Sequence, residues 1–132
     1  MIFLDSDVLS YYFSGNEKIR TKIVEAIKNK EHIAMTIINV YEALKGFRWR
    51  GNTNKEAMFA KFIETVPVFT VNKNTVEMAS NIYAKLRKAG KTIGDADILI
   101  SAIVMENNGA FVTNNRDHFK NVEGLTLMNW LE

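Results

Sequence analysis

Five short apolar runs, each separated from the next by a stretch of helical periodicity, constrain this chain more than any other feature. The runs are Ile2 to Leu4, Ile33 to Thr36, Val68 to Val71, Ala110 to Thr113 and Leu125 to Met128. A run that begins apolar and ends abruptly in polar residues is the mark of a parallel strand buried on both faces. Between the runs, Ile19, Ile23 and Ile27 recur at steps of four within a helix over 17–29, and a second helix spans 38–47 with Gly46 near its end. Asn54 is placed to cap a third helix, with Met58, Phe59, Phe62 and Ile63 inward and Pro67 as its stop. Val76, Ala79, Tyr83 and Leu86 form the inward stripe of a helix that closes at Gly90, and a further helix over 95–106 stops in the Asn-Asn-Gly turn at 107–109. Strands that alternate with helices predict a three-layer α/β/α domain around a mostly parallel sheet, with Leu125–Met128 as an edge strand. With 132 residues, no internal repeat and no linker, residues 1–132 read as a single domain.

Cysteine is absent, so disulfides and thiolate metal sites are excluded, and with only His32 and His118 a multi-histidine zinc site is hard to build. Any metal is then a hard ion held through oxygen. The opening Ile2-Phe3-Leu4 gives way at once to Asp5. That run is too short for a signal peptide or a membrane span, so the expectation is a cytoplasmic protein with no membrane association. A formal net charge of +2 allows a polyanionic partner only if the positive charge is locally arranged.

Most acidic residues stand where solvent-facing charge belongs, but a few do not. Asp5 follows the first strand, where a parallel sheet opens its binding crevice. A plainer reading is that Asp5 or Asp7 caps the next short helix. Glu42 lies among Ile38, Val40, Tyr41, Ala43 and Leu44, where burial without a cation or donor is costly; the alternative puts it on the helix's outer side. Asp95 and Asp97 share a first helical turn, favourable for carboxylates by the helix dipole alone, and at i and i+2 they point in different directions. Thr113-Asn114-Asn115-Arg116-Asp117-His118 follows the fourth strand as a polar loop. Gathered at one sheet edge, these clusters make a negative pocket that calls for a cation, and Mg²⁺ or Mn²⁺ suits carboxylate and water oxygens.

Leu4-Asp5-Ser6-Asp7-Val8-Leu9, Asn39-Val40-Tyr41-Glu42-Ala43-Leu44-Lys45-Gly46 and Ile93-Gly94-Asp95-Ala96-Asp97-Ile98-Leu99-Ile100 stand in order along the chain, followed by Val112-Thr113-Asn114-Asn115, Phe119, Gly124-Leu125 and Asn129-Trp130-Leu131. In these motifs the whole chain resembles the PIN-domain ribonucleases, and within them the VapC toxins of prokaryotic toxin–antitoxin pairs. The resemblance implies Asp5, Glu42 and Asp97 as catalytic acids, with Asp5 and Asp97 as metal ligands. The family often has an acid where this chain has Asn115 or His118, and Asp117 is the candidate here for that fourth position. Asp7 stands where Asn is commoner in the family, as an extra outer acid. Asp95, Thr113 and Asn115 are candidates to orient the metal-ligating groups.

The activity so implied is metal-dependent hydrolysis of RNA phosphodiester bonds, in which the ion acidifies a water and neutralises developing charge. RNA also needs cationic positioning. Lys45, Arg48 and Arg50 follow Glu42 with Phe47 and Trp49 interleaved, and Arg87, Lys88 and Lys91 precede the Asp97 motif. These residues read equally as a solvated basic face over core aromatics. His118 reads as a general base or as a solvated loop histidine. The implied partners are RNA, a VapB-like antitoxin and a second copy of the chain in a homodimer. The rival enzyme is a haloacid-dehalogenase-like phosphatase, which Asp5-Ser6-Asp7 mimics, but Ile98 and Leu99 stand where its last motif needs an acid. A receiver domain is excluded because the Thr and Lys expected after its later strands are not at the right places. A catalytically silent PIN-like interaction module is the non-enzymatic alternative.

Overall fold

A computed structural model describes residues 1–132. In chain order the elements are β1 (Ile2–Leu4), α1 (Ser6–Phe13), α2 (Glu17–Lys28), β2 (Ile33–Thr36), α3 (Ile37–Trp49), α4 (Thr53–Ile63), β3 (Val68–Phe69), α5 (Lys73–Lys88), α6 (Asp95–Glu106), β4 (Ala110–Val112), α7 (Arg116–Phe119) and β5 (Thr126–Met128). The five strands form one sheet in the order β3-β2-β1-β4-β5. Every pairing is parallel, with Ile2 opposite Ile33 and Ala110, and Leu4 opposite Val112.

The side-chain period of two sorts the strand residues between two cores. Ile2, Leu4, Met35 and Val112 pack on one face with Val8, Leu9, Ile19, Phe47 and Phe59 from α1 to α4. Phe3, Ala34 and Phe111 point the other way, against Ile100, Ile103 and Val104 of α6. Helix α6 is apolar all round because its outer side is covered as well, by Ala79, Ile82 and Leu86 of α5 against Ile98 and Ala102. Gly109 leads into β4 under the Phe3 ring, where a Cβ would lie 2.7 Å from two ring carbons, so the close approach requires glycine.

Several helix faces differ from expectation. Steps of four advance 40° beyond a full turn each time, so Ile27 has drifted off the inward face and is 62% exposed, with Ala26 buried in its place. The inward stripe of α5 is Thr75, Ala79, Ile82 and Leu86, while Val76 and Tyr83 are exposed. Met58 is exposed on α4, whose cap is Asn52 rather than Asn54. Gly46 lies within α3, which runs on to Trp49 and ends at Gly51 with φ of 65°. The polar loop after β4 contains the one-turn helix α7. No helix is long and apolar enough to cross a membrane.

Candidate active site

The strand order reverses between β1 and β4, since the chain builds outward from β1 to β3 on one side and places β4 and β5 on the other. At such a switch point the loops leaving two adjacent strands diverge and leave a crevice at the carboxyl edge. Asp5 leaves β1 there, and Thr113 leaves β4 beside it. The Asp5 amide donates to the Val112 carbonyl at 2.9 Å, and the Thr113 hydroxyl donates to Asp5 Oδ2 at 2.7 Å.

Asp5 also caps α1, with its Oδ1 accepting from the Ser6 amide at 2.7 Å. Both sequence readings of this residue therefore hold at once. The same oxygen accepts from Asn39 Nδ2 at 3.1 Å. Asn39 is fully buried and is itself fixed by Thr36, the cap of α3, through a 2.7 Å hydroxyl bond to its Oδ1 and a 3.1 Å bond from its amide. One turn on, Glu42 Oε1 lies 3.4 Å from the same Asn39 Nδ2. Asn39 thus ties the carboxylate after β1 to the one on α3. Sequence reading quoted Asn39 within its motif and gave it no role; the available signal was an amide at i−3 from Glu42 and i+3 from a capping threonine.

The amino end of α6 supplies Gly94, Ala96 and Asp97 to the crevice. Asp97 Oδ2 lies 3.5 Å from His118 Nδ1 on α7, and Asn115 Nδ2 approaches the same ring nitrogen at 3.4 Å. Together Asp5, Asp7, Glu42, Asp97, Asn115 and His118 surround a pocket of about 340 Å³. No lysine or arginine lines it. The larger concavity on the outer side of α5 and α6 has Asp95 as its only acid.

Four carboxyls in this pocket sit above their ordinary range, in each case chiefly because burial disfavours the charged form. Asp5, 9% exposed, is pushed up to about 7 by desolvation and by the neighbouring Asp7 charge, against the pull of Thr113 and Ser6. Asp7 is raised by burial, partly offset by the backbone amides of Val8 and Asn114. Its Oδ1 is buried and has no hydrogen-bond partner. Glu42 is raised by burial and by Asp97, with Lys45 pulling it down. Asp97 is raised by burial, which His118 opposes.

The structure does not bring every candidate to this pocket. Asp117 points to solvent, its side chain 88% exposed and paired only with Lys120 at 3.4 Å. A helical turn separates successive side chains by 100°, so α7 aims His118 inward and Asp117 out. Asp95 lies on the far side of the α6 turn, in the groove with Val76 and Tyr83 of α5. Thr113 reaches the site through Asp5, and Asn115 lines the pocket while its amide donates to Thr113 at 2.9 Å. Lys45 and Arg48 are on the exposed face of α3, Lys45 over the Tyr41 ring at 5.1 Å and Arg48 paired with Glu56 at 3.3 Å. Phe47 is core, whereas Trp49 is 88% exposed. Arg87 and Lys91 lie away from the acids, Arg87 over Tyr83 and Lys91 bonded to Asn121.

A family model described as the PIN domain matches residues 2–125 of the chain. The chain belongs to the PIN-domain family. Curated relatives of this PIN domain include ribonuclease VapC1 of Haemophilus influenzae (strain R2866), 25% identical over 134 positions that cover 96% of each chain. Ribonuclease VapC1 of Methanocaldococcus jannaschii is also 25% identical, over 92% of this chain and 81% of that one. Among solved structures, VapBC2 from Rickettsia felis bound to a promoter DNA fragment superposes with a TM-score of 0.88 at 22% identity, over 98% of this chain and 99% of that one. VapBC-1 from nontypeable Haemophilus influenzae gives 0.83 at 23% identity over the full length of both. The PIN domain's central sheet and flanking helices are thus those of the VapC structures.

The pocket's donor set suits a divalent hard cation. It offers carboxylate oxygens in excess of any positive charge, and the unpartnered Asp7 Oδ1 is an oxygen whose burial is otherwise uncompensated. No three of the acids and His118 converge into a closed cage. An ion such as Mg²⁺ keeps several of its waters and takes only one or two carboxylates directly.

Proposed function

We propose that this PIN domain is a divalent-metal-dependent endoribonuclease, the toxin of a VapBC-like type II toxin–antitoxin pair, acting in the cytoplasm. The observation that carries this reading is a pocket lined by four carboxyls and no lysine or arginine, with every carboxyl's affinity for protons raised, at the switch point of a PIN-domain sheet. Relatives named as VapC ribonucleases along nearly the whole length support the reaction class.

Asp5 and Asp97 are the residues that would hold Mg²⁺ or Mn²⁺, with Glu42 close enough to join them. When bound, the ion supplies Lewis acidity toward the phosphodiester and lowers the pKa of a water molecule. The chain's own groups do the rest. Ser6, Asn39 and Thr113 hold the Asp5 carboxylate in one orientation, with Oδ2, which has a single donor, keeping a lone pair for an ion. Asp7 adds negative charge that favours a cation over a proton-poor empty pocket. Asn115 and His118 close the wall beside Asp97 and occupy the place assigned from sequence to Asp117. Lys45 and the exposed Tyr41 and Trp49 give phosphate contact and base stacking on α3, where Arg48 is paired with Glu56.

The phosphatase alternative needs Asp5 as a free nucleophile. Here Oδ1 takes two donors and Oδ2 a third, in a residue buried to 9% exposure, which suits a fixed ligand better than an attacking group. A silent module would have no reason to keep four acids raised by burial. The structural neighbours from Rickettsia felis and Haemophilus influenzae are VapBC complexes, which supports an antitoxin partner. The exposed Val76 and Tyr83 on α5 support the homodimer.

The test is cleavage of a mixed RNA substrate with Mg²⁺, with Mn²⁺ and with excess EDTA, by the wild-type protein and by Asp97→Asn. Cleavage should require the ion and be lost in the variant. Cleavage that survives either treatment, or a phosphorylated Asp5 trapped during turnover, overturns the reading.

A further inference from the structure

We propose that Arg50, folded back over Gly46, binds an RNA backbone phosphate next to the one at the carboxylates, and so extends the site along α3; this rests on the ribonuclease reading above. A second cavity of about 250 Å³ adjoins the acidic pocket and shares Ser6, Asp7 and Glu42 with it. Its far wall is Ser10, Gly46, Phe47 and Arg50. The acidic pocket thus continues into a groove with a guanidinium at its other end.

Three features together single out Arg50, although Lys45 and Arg87 also lie over aromatic rings. Its guanidinium lies over the Phe47 ring, 5.9 Å from the centroid, so it is held against the surface rather than extended into solvent. It crosses Gly46 so closely that a Cβ there would stand 3.2 Å from one guanidinium nitrogen and 3.4 Å from the other. It also has no carboxylate within ion-pair distance, whereas Arg48 is taken by Glu56, Arg116 by Glu132 and Lys85 by Glu123. The cation that acts on Glu42 is Lys45. Arg50 is therefore a pre-positioned, uncommitted charge beside a pocket that by itself repels phosphate.

A guanidinium in that state suits a phosphate, which it can meet with two parallel N–H donors, and the stacked posture lowers the ordering cost of doing so. Ser10 adds a hydroxyl on the same wall. Glycine at 46 has a reason here beyond the helix, which alone would favour alanine.

The experiment measures binding of a fluorescein-labelled single-stranded oligoribonucleotide to the Asp97→Asn protein across about 50–200 mM KCl, the range over which phosphate contacts dominate affinity. Removing one phosphate contact lowers the slope of log K against log salt by about 0.7 for a single strand. Arg50→Ala should show that decrease. Gly46→Ala should shift the slope in the same direction by less, and the double variant should lose no more than Arg50→Ala alone. Lys22→Ala, on the far helix α2, should leave the slope unchanged. An unchanged slope in Arg50→Ala, an equal decrease in Lys22→Ala, or additive losses in the double variant overturn the assignment while leaving the ribonuclease reading intact. Failure of the parent to bind RNA overturns both.

Discussion

The strand side and the helix side of the acidic pocket are built differently. On the strand side Asp5 is almost fully enclosed, and its two oxygens receive donors from α1, α3 and the residue after β4. On the helix side Glu42 and Asp97 are half-buried, each with one polar neighbour, Asn39 at 3.4 Å and His118 at 3.5 Å. Three short bonds fix a carboxylate, whereas one long contact leaves it free to turn. On the proposed reading the difference is a division of labour: Asp5 would define where a cation sits, and the other acids would adjust to what arrives. Rigid support of that kind is what holds a ligand to the tolerance that catalysis needs.

The largest expected effect concerns protons on the fixed side. Asp5 has a folded-state pKa near 7 against an ordinary value of 3.8. Its folded form prefers the neutral acid, so its contribution to stability is full below about pH 4 and is lost as the pH rises through 7. Integrated over that window the change is roughly 4 kcal/mol. Thermal unfolding of metal-free protein from pH 4 to 8 should show stability falling with pH, Asp5→Asn should flatten the trend, and a divalent ion should reverse it. A trend that persists unchanged in Asp5→Asn would break the distinction.

Metal affinity comes next. Isothermal titration with Mn²⁺ should show a loss of roughly 100-fold for Asp5→Asn and nearer 10-fold for Glu42→Gln, the span associated with ligands and their supports. Equal losses would mean that the helix side is as fixed as the strand side. Thr113→Val then removes the donor to Oδ2 while keeping shape, and should cost about 1–3 kcal/mol in urea unfolding if Asp5 depends on it. The smallest effect is reserved for Asp117→Asn, within about 0.5 kcal/mol in stability and with unaltered RNA cleavage, because its carboxylate meets only Lys120. A variant without activity would return Asp117 to the site.

The architecture was readable because buried parallel strands are short and continuously apolar, and all five runs became strands. Helix faces were read less well where the apolar residues outnumber the buried ones. Val76 and Tyr83 fit the period as neatly as Ile82 and Leu86, and only packing against α6 selects between them. Asp5 could be located because a strand end at a switch point is a position, not a pattern. Asp117 and His118 could not be told apart, since a polar hexapeptide does not reveal that its last three residues wind, with Phe119, into a turn that faces one of them inward. Asn39 was hidden by its surroundings, an amide within an apolar helix whose partners, Thr36 and Asp5, come from two different strands.

The bond from Thr113 to Asp5 joins residues 108 positions apart. During synthesis Asp5 is made well before the fourth strand, and its Oδ2 has no partner until that strand has been inserted beside the first. Loop-closure entropy makes such a distant pairing a late event in folding. A nascent or prematurely released chain that stops short of β4 can carry Asp5, Glu42 and Asp97 and still lack the pocket that joins them.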